Sequence, residues 1–117
     1  MQEQEMNHDP AEDKRLYVIV RADIPIGYQM AQACHAAAAI GADQPKLLKK
    51  YPTIVILNAC CRHHLQFLYD EAAFNRPVEF REPDLGDEMT AFAVFSSGEE
   101  FRHLDLAGGG AKPEGVA

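Results

Sequence analysis

The sequence lacks the cysteine pattern by which disulfide-rich and zinc-binding proteins are recognised. Its 117 residues contain three cysteines, Cys34, Cys60 and Cys61, and no pair has the CxxC spacing of a structural zinc site. An odd number of cysteines, two of them adjacent, also gives no disulfide framework, because neighbouring cysteines rarely bond to each other. We therefore interpret all three as free thiols, which indicates a reducing, cytoplasmic compartment.

Long apolar runs are also missing. No stretch approaches the length of a membrane-spanning helix, and the polar, acidic residues 1–13 do not resemble a signal or transit peptide. We expect no membrane partner. Residues 1–13 are predicted to form a disordered acidic leader and the glycine-rich residues 108–117 a flexible tail. A single domain over residues 14–107 remains.

Basic residues are scarce, with 11 Lys and Arg against 18 Asp and Glu and a formal net charge of −7. Phosphate contacts need Lys and Arg, so this balance at first argues against a nucleic-acid partner. However, residues 1–13 hold five acids and no bases (−5), whereas residues 14–98 hold nine of each sign. The excess acidity therefore lies mainly near the ends of the chain, and the charge balance does not decide the partner.

Hydrophobic patterning predicts an α/β fold. Continuous β-rich apolar runs alternate with helical segments, and the second long helix shows apolar residues at i, i+4, i+7 and i+11. Two β-α-β crossovers favour parallel pairing, and the short link before the last strand favours a mixed sheet. We predict a three-layer α/β/α domain with a four-stranded, mixed, mostly parallel sheet. The predicted elements are strand 16–20, helix 26–40, short helix 46–50, strand 53–57, helix 61–75, strand 77–81 and strand 90–95.

The first long helix carries the most informative polar residues. Tyr28, Gln32 and His35 interrupt a run dominated by alanine, and their spacing of i, i+4 and i+7 places them on one stripe. The stripe begins at a helix N-terminus, beside Pro25 and Gly27, where free backbone N–H groups favour an anion. These polar residues can equally hydrogen-bond a neighbouring loop for purely structural reasons. No Ser/His/Asp order, glycine-rich phosphate loop or carboxylate pair points to another chemistry.

The same region resembles the signature of type II peptidyl-tRNA hydrolases. In that family an Arg-x-Asp strand end leads to a glycine and then to an Ala-Gln-x-x-His-Ala helix. The chain matches this order with Arg21, Asp23, Gly27, Gln32 and His35. The similarity continues through residues 65–72 and 90–94 and covers most of residues 15–96, although outside the helix motif it is mainly one of pattern.

The resemblance implies an enzyme that cleaves the ester between a peptide or acyl group and tRNA, without a cofactor or metal. It implies that His35 is the base that activates or orients the attacking water. By the same comparison, Gln32 holds the substrate or polarises a carbonyl, and Thr90 hydrogen-bonds the site from the last strand. The acidic residue of the family corresponds to Glu82 or Asp84, between which the sequence does not choose. The residues expected to bind the substrate are Arg21, Asp23, Gly27 and Tyr28.

One position departs from the family pattern. Four residues before the glutamine the family carries a lysine, whereas this chain carries Tyr28. A phenol cannot supply the positive charge that a lysine offers to a phosphate or an oxyanion. The alternative function is therefore a catalytically inactive member of the fold that binds RNA, a nucleotide or a protein.

Three remaining features give further expectations. His63 and His64 are adjacent on a helix and point about 100° apart, so they are not expected to chelate a metal together. Asp87 and Glu88 are interpreted as solvated loop charges. The edge strands of small sheets often pair between molecules, which allows a homodimer.

Overall fold

A computed structural model describes residues 14–108. The predicted acidic leader, 1–13, and the predicted tail beyond Gly108 lie outside the described residues. Short 3₁₀ turns at 73–75, 83–85 and 99–101 supplement the regular elements. The strands and helices in chain order are β1 (Arg15–Arg21), α1 (Ile26–Asp43), α2 (Pro45–Lys50), β2 (Ile54–Ala59), α3 (Arg62–Glu71), β3 (Val78–Glu82) and β4 (Glu88–Ser96).

Within the described part of the chain the strands form one four-stranded mixed sheet in the order β2-β1-β4-β3, which confirms the predicted α/β class. The prediction of mostly parallel pairing is not confirmed. β1 pairs in parallel with β2, whereas β1 with β4 and β3 with β4 are antiparallel. The reason is that β3 and β4 are joined by a short turn that reverses the chain, and β4 then inserts beside β1.

Both faces of the sheet are covered by apolar packing. The even-numbered residues Leu16, Val18 and Val20 of β1 pack in a cluster with Ala33, Ala36 and Ile40 of α1. The odd-numbered residues Tyr17 and Ile19 pack in a second cluster with Leu65 and Leu68 of α3. This division follows from the alternation of side chains along a strand. It leaves β1 buried on both faces, as its continuous apolar run predicts.

The second strand, β2, was predicted to be fully buried, but it is only partly buried. β2 lies at the edge of the sheet, where Ile54 and Ile56 remain substantially exposed on one face. Its outer edge is paired with the segment that follows the last 3₁₀ turn. Leu57 forms a bridge with Leu106, and the backbone N–H of Asn58 donates to the carbonyl of Asp105 over 3.0 Å. No helix in residues 14–108 has the length and apolarity needed to cross a bilayer.

A β-bulge interrupts the pairing of β3 and β4. Phe80 is opposite Ala91, but the next residue, Arg81, is opposite Met89, so Thr90 is the extra residue. Met89 packs in the α3-side cluster and Ala91 in the α1-side cluster. Without the bulge, strict alternation gives Thr90 the same side as Phe92, which belongs to the α3-side cluster. The bulge therefore turns the Thr90 side chain towards α1, a re-aiming that bulges commonly provide beside functional sites.

Candidate functional site

The centre of the candidate site is a chain of three hydrogen-bonded side chains from three elements. The Thr90 hydroxyl donates to Oε1 of Gln32 over 3.2 Å, and Nε2 of Gln32 donates to Oε1 of Glu82 over 2.6 Å. Gln32 is only 2% exposed and Thr90 is fully buried. Because the amide uses both of its ends, its orientation is fixed and it cannot rotate to suit another partner. The structure therefore brings together three residues that lie far apart in sequence.

The carboxylate of this chain comes from Glu82. Its second oxygen, Oε2, accepts the backbone N–H of Asp84 over 3.1 Å and so caps the 3₁₀ turn that follows β3. These bonds from the Asp84 N–H and the Gln32 amide hold the pKa of Glu82 below its usual range, since both stabilise the charged form. Asp84 itself contributes this backbone N–H while its side chain is exposed. Of the two candidates that the sequence left open, Glu82 is the one in contact with Gln32.

His35 lies one turn of α1 beyond Gln32. It is exposed to solvent, whereas Gln32 is buried. Its imidazole stacks on the ring of Phe80, with centroids 4.5 Å apart and planes at 10°. Phe80 and Glu82 alternate on β3 and so share one face of the strand. The nearby His35 also favours the charged form of Glu82, which contributes to the lowered pKa of that carboxyl. The histidine is thus held in a defined orientation while remaining open to solvent.

A second polar cluster stabilises the end of β1. Nε and Nη2 of Arg21 donate to the two carboxylate oxygens of Asp23 over 2.9 and 3.1 Å, and its Nη1 donates to Glu88 over 2.7 Å. Arg62 joins through the other oxygen of Glu88. The Arg21 side chain is 10% exposed, so these acids are the partners that allow its burial.

This cluster corrects one prediction and qualifies another. Glu88 is not a solvated loop charge: it begins β4 and pairs with Arg21, whose hydrogen bond lowers the pKa of the Glu88 carboxyl. The same guanidinium holds the pKa of Asp23 below its usual range. Arg21 and Asp23, predicted to bind substrate, bond mainly to each other. Their charges are therefore largely compensated within the protein.

Two amides that no sequence motif singles out fix the loop between β1 and α1. Gln29 is buried, and its Nε2 donates to the carbonyls of Ile24 and Ala22 over 2.8 and 3.3 Å. Its Oε1 accepts from Asn58, which also donates to the carbonyl of Val20. In the sequence, only the position of Gln29 four residues before the apolar Ala33 indicates that this glutamine is buried. The fold is needed to show that the loop carbonyls lie within reach of its amide.

Apart from the buried Gln29, the first turn of α1 is exposed, and it contains no cation. Tyr28 is 47% exposed and Met30 is 65% exposed, while a Cβ added at Gly27 meets no atom within 4 Å. The structure thus places Gly27 and Tyr28 beside solvent. A shallow apolar cavity of about 360 Å³ lies on the other flank of this helix, between Ile26, Met30 and Ile56. In residues 14–108 no group of three or more His, Cys, Asp and Glu side chains is arranged to hold a metal ion.

Chemically, the arrangement offers a fixed amide, an ionised carboxylate and an oriented, solvent-facing imidazole on one surface. Comparison with protein-family models gave no match, and a search of curated proteins found no similar sequence. The resemblance to peptidyl-tRNA hydrolases consequently rests on the motif residues in the sequence alone.

Proposed function

We propose that the protein is a peptidyl-tRNA hydrolase-like esterase that cleaves the ester between a peptide or acyl group and tRNA. The observation that carries this proposal is the Thr90–Gln32–Glu82 chain beside His35. Thr90 and Gln32 are buried and fix the geometry, whereas Glu82 and His35 are accessible to solvent. Sites that act by positioning need this combination of rigid support and open access.

In the proposed reaction, His35 accepts a proton from a water molecule as that water attacks the ester carbonyl. The bond between the acyl carbon and the ribose oxygen of the tRNA then breaks, and His35 returns the proton to that oxygen, so the products are a free carboxylic acid and a tRNA hydroxyl. The imidazole is kept in place by its stacking on Phe80. The negative charge of Glu82 stabilises the imidazolium that forms, because opposite charges attract more strongly beside low-dielectric protein than in bulk water. The hydrogen bond from Gln32 holds the Glu82 carboxylate in position, and the hydrogen bond from Thr90 holds Gln32 in position.

A comparison of two histidine variants tests this proposal. Purified protein is incubated with a tRNA whose aminoacyl group is blocked by N-acetylation, and release of the acyl group is followed over several turnovers. We expect His35→Ala to lower kcat by about 10²-fold or more, the range of a lost general base. His63→Ala removes an exposed histidine from α3 and serves as the matched control with unchanged turnover. Equal rates in the wild type and in His35→Ala would exclude the proposed role.

The surface around Tyr28 favours one second candidate, a binding module without turnover. Tyr28, Ile26 and Met30 expose an aromatic and apolar surface at the start of α1, where the family that the sequence resembles has a cation. Exposed aromatic rings can stack on unpaired bases, and exposed apolar patches commonly mark protein-binding surfaces. Under this candidate, wild-type protein binds the blocked tRNA or a protein partner but releases no acyl group.

We further infer the layer arrangement, the cellular location and the oligomeric state of the protein. The packing of α1 on one face of β1 and of α3 on the other supports a three-layer α/β/α arrangement. The three thiols support a cytoplasmic location. The exposed Ile54 and Ile56 at the sheet edge support a homodimer, which sedimentation velocity over a range of protein concentrations tests directly.

A further inference from the structure

Outside the candidate site, the junction between β2 and α3 holds two thiols in contact. The Cys60 thiol donates to Sγ of Cys61 over 3.6 Å. Cys60 is exposed and Cys61 is half-buried, and both are free. Cys60 also lines a cavity of about 350 Å³ together with His64, His103 and Asp105. Both sulfurs are therefore close to solvent and close to each other.

The surroundings of the two thiols differ. Cys61 is the residue that precedes α3, with an extended backbone at the N-terminus of that helix. The backbone N–H groups of His64 and His63, together with the Cys60 thiol, lower the pKa of Cys61 below the usual range of a thiol. Contact with Cys61 raises the pKa of Cys60. A thiol of lowered pKa at a helix N-terminus, in contact with a second thiol, is the arrangement of an attacking and a resolving cysteine.

The backbone of Cys60 is held as well. Its N–H donates to Nδ1 of His64 over 3.0 Å, so the histidine ties Cys60, two residues before the helix, to the first turn of α3. The imidazole of His64 in turn lies near that of His103, with ring centroids 6.2 Å apart. The two sulfurs are consequently presented by a fixed backbone.

We propose that Cys60 and Cys61 form a redox-modification site whose substrate is a hydroperoxide. The Cys61 thiolate attacks the terminal oxygen of the hydroperoxide, the O–O bond breaks, and the alkoxide or hydroxide leaves and takes up a proton. Cys61 is thereby oxidised to the sulfenic acid. The Cys60 sulfur then attacks the Cys61 sulfur, the S–O bond breaks, and the hydroxyl leaves as water with the proton of Cys60. The products are one disulfide, one alcohol or water from the hydroperoxide, and one further water.

The disulfide formed in this way is reversible. Adjacent Cα atoms are about 3.8 Å apart across a trans peptide bond, which is shorter than the usual Cα separation of about 4.4–6.8 Å in disulfides. Strain of this kind makes a disulfide easier to reduce. A small thiol therefore returns the pair to its starting state. The inference is independent of the esterase proposal, since it involves neither His35 nor Gln32.

The experiment treats the full-length chain with hydrogen peroxide and follows it by intact mass and peptide mapping. Wild-type protein is expected to lose the mass of two hydrogen atoms, with the bridge mapped to Cys60 and Cys61, and to regain them with a small thiol. The variant Cys60→Ser is expected to stop at a sulfenic acid on Cys61 that a dimedone probe captures. The variant Cys61→Ser is expected to lose the fast reaction.

Cys34 provides the matched control within the same chain. It is exposed like Cys60 but lies in the middle of α1, away from a helix N-terminus and from a second thiol in contact. Cys34→Ser is therefore expected to leave both the rate and the product unchanged. Oxidation of Cys34 as fast as Cys61, or a product made only of disulfides between molecules, overturns the proposal. Circular dichroism of each variant verifies that the fold is retained.

Discussion

Gln32 and Glu82 are fifty residues apart in sequence, yet the amide of one donates to the carboxylate of the other over 2.6 Å. This bond links the middle of α1 to the end of β3. It also joins a residue that is almost fully buried to one that is half-exposed. Because Thr90 occupies the other end of the same amide, a change at Gln32 disturbs both neighbours at once.

Replacing Gln32 by leucine is expected to destabilise the protein by about 1–3 kcal/mol, the cost of leaving a buried polar group without its partner. The group that loses its acceptor is the Thr90 hydroxyl. The measurement is the free energy of unfolding from urea titration, with Gln66→Leu as the control. Gln66 is exposed and bonds only along its own helix to Asp70, so its replacement should cost less than about 0.5 kcal/mol.

A second variant makes the same prediction sharper. Thr90→Val removes the hydroxyl that loses its acceptor in Gln32→Leu. The double variant should therefore lose less free energy of unfolding than the sum of the losses in the two single variants. Strictly additive costs are inconsistent with a hydrogen bond between these two side chains.

Arg21→Met is expected to cost about 2 kcal/mol of unfolding free energy, in the range of hydrogen bonds to charged groups. Asp23 and Glu88 are partly exposed, and water moderates the loss of their partner. Lys46→Met changes the net charge equally, but on the exposed surface of α2, and is expected to leave stability within about 0.5 kcal/mol. Equal effects of the two variants contradict a stabilising role for the Arg21 cluster.

The sequence predicted the elements well because β1, α1 and β4 carry strong periodic or continuous apolar patterns. The family resemblance also grouped His35, Gln32 and Thr90, and the structure joins Thr90 to Gln32 by a hydrogen bond, with His35 three residues further along α1. It could not predict that Thr90 faces α1, because a period of two gives it the side of Phe92 and only the bulge reverses this. Nor could it predict the Arg21–Glu88 pair, since β4 lies beside β1 through a long-range antiparallel pairing that local patterns do not encode.

The same Arg21 cluster predicts how stability depends on pH. The pKa values of Asp23 and Glu88 are depressed in the folded state relative to ordinary values of 3.8 and 4.5. Both carboxylates therefore contribute stability that is present above those ordinary values and is lost as the pH falls through the folded-state values. Urea titrations at about pH 6 and about pH 3 should show a larger loss in the wild type than in Arg21→Met. Lys46→Met should retain the wild-type loss, and an equal loss in all three proteins contradicts the assignment.

Phe80→Leu is expected to lower kcat about two- to tenfold with little change in KM, because aromatic stacking contributes about 0.5–1.5 kcal/mol and here orients His35. Phe74→Leu is the control, since Phe74 is 82% exposed on the surface. A positioning role also predicts that Phe80→Leu has no further effect in a His35→Ala background. The same fold-loss with and without His35 indicates a structural role only.

Tyr28→Lys restores the charge that the sequence lacks at the start of α1. Binding of tRNA is expected to tighten at low salt. The slope of log affinity against log salt concentration should steepen by about 0.7–0.9 for one added phosphate contact. Met30→Lys adds the same charge two residues further on, about 200° around the helix, and is expected to change the slope less. If the added lysine at position 28 also raises the turnover of blocked aminoacyl-tRNA while that at position 30 does not, the charge acts at the site and not through the net charge. Equal slopes for the two variants indicate a general electrostatic effect and remove Tyr28 from the substrate-binding residues.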